Sequence, residues 1–320
     1  MDLIKVSDLS IEYVIGNRHV TALDHMSLRI PHSGYSLGIV GDSGSGKTTL
    51  GLSIMNAIER PGRITGGTIE FLGNNILCMS KRQLRFYQWE QVSMIYQSAM
   101  NSLNPVKRII DPIIEVIMDH KDSSKAQAKE LALQLLSELG INEERATCYP
   151  YEFSGGMRQR VVIALALALA PKLLIADEPT SSLDVVTQRH FLNLLKEETT
   201  KKDLSLIFIT HDISLLNGLV DNVAVMYRGE LVEAGPLDEV LLKPLHPYTQ
   251  MLLGSLITME SDFDSMASPI SSSQRSVEPG KNPDACKYAD RCIYAFDRCR
   301  KEKPRLLKSS GRFVSCHKYS

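Results

Sequence analysis

The chain has 320 residues, 43% of them apolar and 23% charged, with a formal net charge of −1. These values describe a soluble globular protein with room for one large α/β domain and a small appendage. They exclude a protein held to nucleic acid by bulk charge.

The charge is unevenly spread. Positions 281–320 carry eleven Lys or Arg against four Asp or Glu, a surplus of +7 that leaves −8 for the rest. A solvated basic face is the plain reading of that tail, and contact with anionic lipid or a partner is the alternative. Residues 1–6 lack the basic and apolar runs of a secretory signal. The longest apolar stretch, 161–170, is about half a membrane span. The expectation is a cytoplasmic protein whose membrane part, if any, comes from other chains.

In chain order, residues 4–6, 11–14 and 27–30 alternate or carry β-branched side chains and read as strands. Residues 35–40 (YSLGIV) form a short buried strand, followed by a glycine-rich turn and a helix over 48–58. Another strand falls at 92–96. Between 106 and 140 Leu, Ile and Ala recur among charged residues, a helical insertion between two strands of the main sheet. A helix over 157–170, a strand over 172–176, a helix over 185–199 and strands over 204–210 and 223–227 follow. Strands alternating with helices of this length predict a largely parallel sheet covered on both faces. Residues 261–283 are polar and rich in Ser and Pro, which reads as a linker.

Two motifs carry chemistry. Gly41, Asp42, Ser43, Gly44, Ser45, Gly46, Lys47 and Thr48 fit G-x-x-x-x-G-K-[ST] at every fixed position, between a strand and a helix. Glycines let the backbone curl its N–H groups around a phosphate at the positive end of the helix. Lys47 then reaches the β- and γ-phosphates of ATP and Thr48 helps hold Mg²⁺, with Thr49 beside it. Further on, a buried strand ends in Asp177 and Glu178, the first placed to hold Mg²⁺ and the second to take a proton from an attacking water.

Four of the six cysteines, Cys286, Cys292, Cys299 and Cys316, crowd into the tail. In a cytoplasmic protein such crowding points to metal ligation before disulfides.

The stretch 153–157 (FSGGM) resembles the LSGGQ signature of ABC-type ATPases, with Phe153 and Met157 at its variable ends. Ser154, Gly155 and Gly156 open a helix, where a hydroxyl and N–H groups can receive phosphate. Other motifs of that family stand in order around it. Gln97 looks like the glutamine that senses Mg²⁺ and the attacking water. Residues 181–184, ending in Asp184, resemble the loop that crosses between two ATPase subunits. His211 looks like the switch histidine at the γ-phosphate. Tyr13 resembles the aromatic that stacks on adenine, with plain packing an equal reading.

The resemblance covers about residues 2–254. It implies a P-loop NTPase of α/β class: a RecA-like core, an antiparallel β-subdomain and a helical subdomain (about 97–160). The nucleotide-binding domain would span 1–255. It further implies a head-to-tail pair with a second homologous ATPase subunit, as homodimer or heterodimer, in which Ser154–Gly156 act on the partner's ATP.

Residues 245–249 (LHPYT) resemble the element that follows the ATPase core in oligopeptide and dipeptide importer subunits. The four tail cysteines resemble the same subfamily's extension, here 284–320 after a linker at 256–283, which there binds a [4Fe–4S] cluster. Zinc or free thiols are the alternatives; the cysteine spacing is unlike paired zinc-ribbon ligands. The family likeness implies transport-coupled ATP hydrolysis at the cytoplasmic face of the membrane. The protein would be peripheral, bound to two transmembrane permease subunits and served by an extracellular binding protein, with no nucleic acid. Peptides are the expected cargo, and oligosaccharide or nickel import is the alternative. A soluble ABC ATPase of another role lacks a reason for the LHPYT element and the cysteine tail.

Overall fold

The chain opens with a long antiparallel hairpin, β1 (Ile4–Ile15) and β2 (Arg18–Ile30). β1 runs unbroken where the sequence suggests two short strands. Register shifts around Asp8, which takes φ 53, absorb the change of phase. β3 (Ser36–Val40) leads into the glycine-rich turn and α1 (Lys47–Ile54). α1 ends earlier than its apolar pattern suggests, because the chain turns at Asn56 with φ 50. β4 (Gly62–Phe71) and β5 (Asn74–Asn75) complete a four-stranded antiparallel sheet in the order β2-β1-β4-β5. The polar helix α2 (Lys81–Glu90) follows, started by a reciprocal cap between Ser80 and Gln83 and broken at Gln88–Trp89.

β6 (Val92–Ile95) then begins the second sheet. The helical insertion predicted at 106–140 resolves into α3 (Asp111–His120) and α4 (Lys125–Glu138); the single-turn α5 (Glu143–Ala146) follows, and the helix predicted at 157–170 is α6 (Gly155–Leu167). β7 (Leu173–Asp177), α7 (Val185–Lys201), β8 (Ser205–Thr210), β9 (Asn222–Tyr227) and β10 (Glu230–Pro236) carry the chain back through the sheet. α8 (Leu237–Leu242) and α9 (Pro247–Glu260) follow. The tail supplies β11 (Leu307–Ser309) and β12 (Arg312–Val314). This computed structural model describes residues 1–97, 99, 103–181, 183–260, 282 and 284–320. The stretch read as a linker, 261–283, lies outside the described residues except for Asn282. Among the described residues no helix is long and apolar enough to cross a membrane.

The second sheet has the order β11-β12-β10-β9-β3-β8-β7-β6. From β9 to β6 all neighbours are parallel, and β10 to β12 add an antiparallel edge. The parallel strands are apolar on both faces, and their period of two sorts the side chains. Leu173, Ile175, Ile207 and Ile209 join a core shared with the antiparallel sheet, whereas Leu174, Ala176, Leu206 and Phe208 join the core under the helices.

The cysteine-bearing tail is part of this sheet. β12 pairs with β10 at Glu233↔Val314 and Ala234↔Phe313, so a segment with little apolar content of its own borrows the edge of a finished core.

Candidate active site

Strand register builds the site. Val40 lies opposite Thr210, Asp177 opposite Ile209, and Ile95 opposite Ala176, so the residues just beyond these strands emerge at one end of the sheet. Those residues are Gly41, Glu178, His211 and Gln97. Parallel α/β sheets bind ligands at this carboxyl end.

The glycine loop is shaped by close packing. A Cβ on Gly41 would collide with the Met226 carbonyl, and one on Gly46, at φ 98, would collide with the Ala22 carbonyl. A glycine turn is therefore the only one that fits between β2 and β9 here. Lys47, 5% exposed, folds its ammonium into the turn and donates to the carbonyls of Gly41 (2.8 Å) and Asp42 (2.9 Å). Burial holds its pKa below the ordinary lysine value, against the pull of Glu178, Asp177 and Asp42. The loop thus carries a desolvated cation beside the free N–H groups of a helix N-terminus, an arrangement suited to polyphosphate.

Thr48 donates its hydroxyl to Asp177 Oδ1 at 3.2 Å. Asp177 is buried, and burial pushes its carboxyl above the usual range, helped by neighbouring Glu178 and opposed by Thr48 and Lys47. Two hard oxygen donors at the mouth of a phosphate loop are the ligand chemistry that Mg²⁺ takes. Glu178 sits at φ 44, a left-handed conformation costing about 1–2 kcal/mol for a side-chain-bearing residue. Its N–H bonds to the Ile209 carbonyl (2.9 Å), and its carboxylate Oε1 is 3.3 Å from Nδ1 of His211. Backbone strain held in this way concentrates at working sites.

The remaining predicted residues stand on several different elements. Gln97 is exposed just beyond β6, and Thr49 lies in the first turn of α1. Ser154 caps α6 with its hydroxyl free of any capping bond, and nothing lies within 4 Å of a Cβ built on Gly155 or Gly156. Asp184 caps α7, accepting from the N–H (2.9 Å) and hydroxyl (2.7 Å) of Thr187, bonds that hold its carboxyl below the usual range. Ser182, in the same loop, lies outside the described residues. Tyr13 is half-buried against the core of the antiparallel sheet, its ring beside Gly62.

A second cluster forms in the tail. Cys286, Cys292, Cys299 and Cys316 line one cavity, together with His246, Tyr288 and His317. Burial raises the thiol pKa values, that of Cys286 to about 11 and those of Cys292 and Cys316 in the same direction. Among the described residues no group of three or more His, Cys, Asp or Glu side chains is arranged to hold a metal ion.

Nothing local in the sequence points to the contacts by which the LHPYT element and the tail reach the phosphate loop, β2 and β10. Tyr248, in the LHPYT element, is fully buried and its hydroxyl accepts from the Asp42 N–H at 2.8 Å, across 206 positions. Arg291 lies 3.7 Å from the Asp42 carboxylate. Lys287 and Lys303 both pair with Asp24 and Glu230 at 2.8–3.1 Å.

A phosphate loop, a strand-end Asp–Glu pair and a paired histidine on a two-sheet frame define an ATPase of the ABC cassette class. Comparison with known proteins agrees. Residues 23–181 match the ABC transporter family, and 232–299 match the oligopeptide/dipeptide transporter C-terminal region. The dipeptide transport ATP-binding protein DppD of Escherichia coli is 39% identical over 99% of this chain and 97% of its own length. The oligopeptide transport ATP-binding protein OppD of Salmonella typhimurium is 39% identical, over 99% and 93%. Among solved structures, the ADP- and phosphate-bound dimeric cassette MJ0796 aligns with TM-score 0.63 at 25% identity, covering 73% of this chain and 98% of that one. The cassette cbiO1 of Clostridium perfringens aligns with TM-score 0.64 at 26% identity, over 76% and 91%. The chain belongs to the ABC transporter family, as one of its ATP-hydrolysing subunits.

Proposed function

We propose that the chain energises the import of dipeptides or oligopeptides. The likeness to DppD and OppD over 99% of the chain, tail included, is the observation that carries this reading. The cassette would be residues 1–255, with a helical subdomain at about 97–160, a linker at 256–283 and the tail at 284–320.

In the proposed cycle Gly41, Asp42, Ser43, Gly44, Ser45, Gly46, Lys47, Thr48 and Thr49 hold the ATP phosphates and Tyr13 flanks the base. Thr48, Asp177 and Gln97 would hold Mg²⁺, which supplies neutralisation of phosphate charge. Glu178 takes the proton of the attacking water while His211, bonded to it, faces the γ-phosphate. Ser154, Gly155 and Gly156 act on the ATP of a second, homologous ATPase subunit. Among the described residues the Ser154 hydroxyl makes no capping bond and the space over Gly155 and Gly156 is open, which supports that role, as do the exposed Val185 and Val186 beside Asp184. The pair would dock on two permease subunits at the cytoplasmic face of the membrane, fed by an extracellular binding protein.

The tail would hold a [4Fe–4S] cluster on Cys286, Cys292, Cys299 and Cys316. Four cysteines lining one cavity supply the four thiolates that such a cluster takes. Cells lacking the chain should lose uptake of labelled short peptides, and a Lys47→Ala copy should fail to restore it. Intact peptide uptake with loss of nickel or oligosaccharide uptake would move the assignment to that cargo.

A further inference from the structure

We infer that the LHPYT element and the tail together position the phosphate loop, with Tyr248 and Arg291 acting as positioning residues through Asp42. The inference rests on the reading of residues 41–48 as the ATP phosphate loop.

Asp42 is the second residue of the loop, and it faces two ways. Its carbonyl receives the Lys47 ammonium at 2.9 Å. Its N–H is donated to the Tyr248 hydroxyl at 2.8 Å, and its carboxylate lies 3.7 Å from Arg291. The peptide that orients the phosphate-binding lysine is therefore pinned from behind by one residue of the LHPYT element and one of the tail.

Tyr248 has no freedom to release it. Its ring packs on Tyr227 at 4.6 Å and on Tyr288 at 5.5 Å between centroids, and Tyr227 and Tyr288 meet edge-on at 5.2 Å. Arg291 also interacts electrostatically with the Tyr227 phenol. Tyr288 lies between Cys286 and Cys292 in the chain and lines the cysteine cavity. A continuous set of aromatic contacts thus runs from that cavity to the loop, and its last member is a hydrogen bond to loop backbone. Packed chains of this kind transmit small displacements because dense interiors do not absorb them. The tail, on this account, sets how well the loop is preformed for ATP.

The test uses the full chain and measures MgATP binding by calorimetry, steady-state hydrolysis and melting temperature. Tyr248→Phe keeps the ring and removes the acceptor. A hydrogen bond of this kind is worth a factor of about five, so Kd and KM for ATP should rise about fivefold, with the loss falling on KM rather than kcat. Arg291→Gln should weaken binding by about twofold to fivefold, as a half-exposed ion pair allows. That loss should vanish when Asp42 is already Asn, because the guanidinium acts through this carboxylate. Unchanged ATP affinity in Tyr248→Phe, or an Arg291→Gln loss that persists beside Asp42→Asn, would overturn the inference. A fall in melting temperature without a change in affinity would do the same. Lys47→Ala is the separate control: if it binds ATP as the wild type does, the phosphate-loop reading itself fails.

Discussion

Arg312 of β12 and Glu233 of β10 form an ion pair at 3.3 Å in which the side chains are 3% and 0% exposed. The guanidinium also donates to the carbonyls of Glu239 (2.8 Å) and Lys243 (2.7 Å), while the carboxylate accepts the N–H groups of Leu245 and His246, both at 2.9 Å. One buried contact therefore fastens three segments: the sheet edge, the LHPYT element and the tail.

Removing one partner leaves the other charge buried and unpaired. Arg312→Ala should cost about 3–5 kcal/mol and loosen the tail from the sheet. Urea unfolding and limited proteolysis after residue 260 would register it. A variant as stable and as protease-resistant as the wild type would show that the pair fastens nothing.

Glu178→Gln keeps the size of the side chain and removes the base. It should still bind MgATP but release phosphate more slowly by a factor of about 10²–10⁴, and accumulate as a dimer in gel filtration. His211→Ala should also slow turnover. The two losses should combine to less than their product, because the side chains touch at 3.3 Å. Rapid phosphate release from Glu178→Gln would remove it from the proposed role.

His246 is buried, its Nδ1 accepts the Tyr248 N–H at 3.0 Å, and burial lowers its pKa from 6.5 to about 4. The folded state takes up this proton less readily than the unfolded chain. The neutral imidazole therefore contributes its stability in full above pH 6.5, and that contribution is lost as pH falls toward about 4. The full loss is about 3 kcal/mol. Melting temperature followed across this window should fall less steeply in His246→Asn, whose amide oxygen can replace Nδ1 as acceptor. Equal slopes would assign the acid sensitivity elsewhere.

Protein purified without oxygen should be brown, carry iron and sulfide, and absorb in the thiolate–iron region. Cys299→Ser should lose most of the iron, since Cys299 is the most buried of the four. A colourless protein with one tightly held zinc would replace the cluster by a single ion.

The parts of the site legible in the sequence are those whose chemistry is written in consecutive residues. The loop at 41–48, the Asp177–Glu178 pair and the strand ahead of His211 each need a fixed local spacing, and strand register then brings them together. Residues 153–156 were legible for the same reason. The sequence could not show that Tyr248 reaches Asp42, because nothing local distinguishes a tyrosine hydroxyl that meets a backbone N–H from one that meets water. β2 is legible only at its apolar end, since its first residues, Arg18 to Thr21, are exposed and carry no alternation. α2 has no apolar periodicity to announce it, because its capping box, not its apolar content, starts it. The tail read as an appendage because β12 is three residues long, too short for a periodic signal.

The pairing of β12 with β10 has a consequence for the chain as it is made. Arg312 lies 79 residues beyond Glu233, so the edge of β10 is synthesised long before the strand that covers it. Until then a row of unpaired backbone groups faces outward beside a completed parallel sheet, the kind of edge on which foreign strands add. Any lesion that delays the tail would therefore appear as aggregation of new chains before it appears as a loss of ATP turnover.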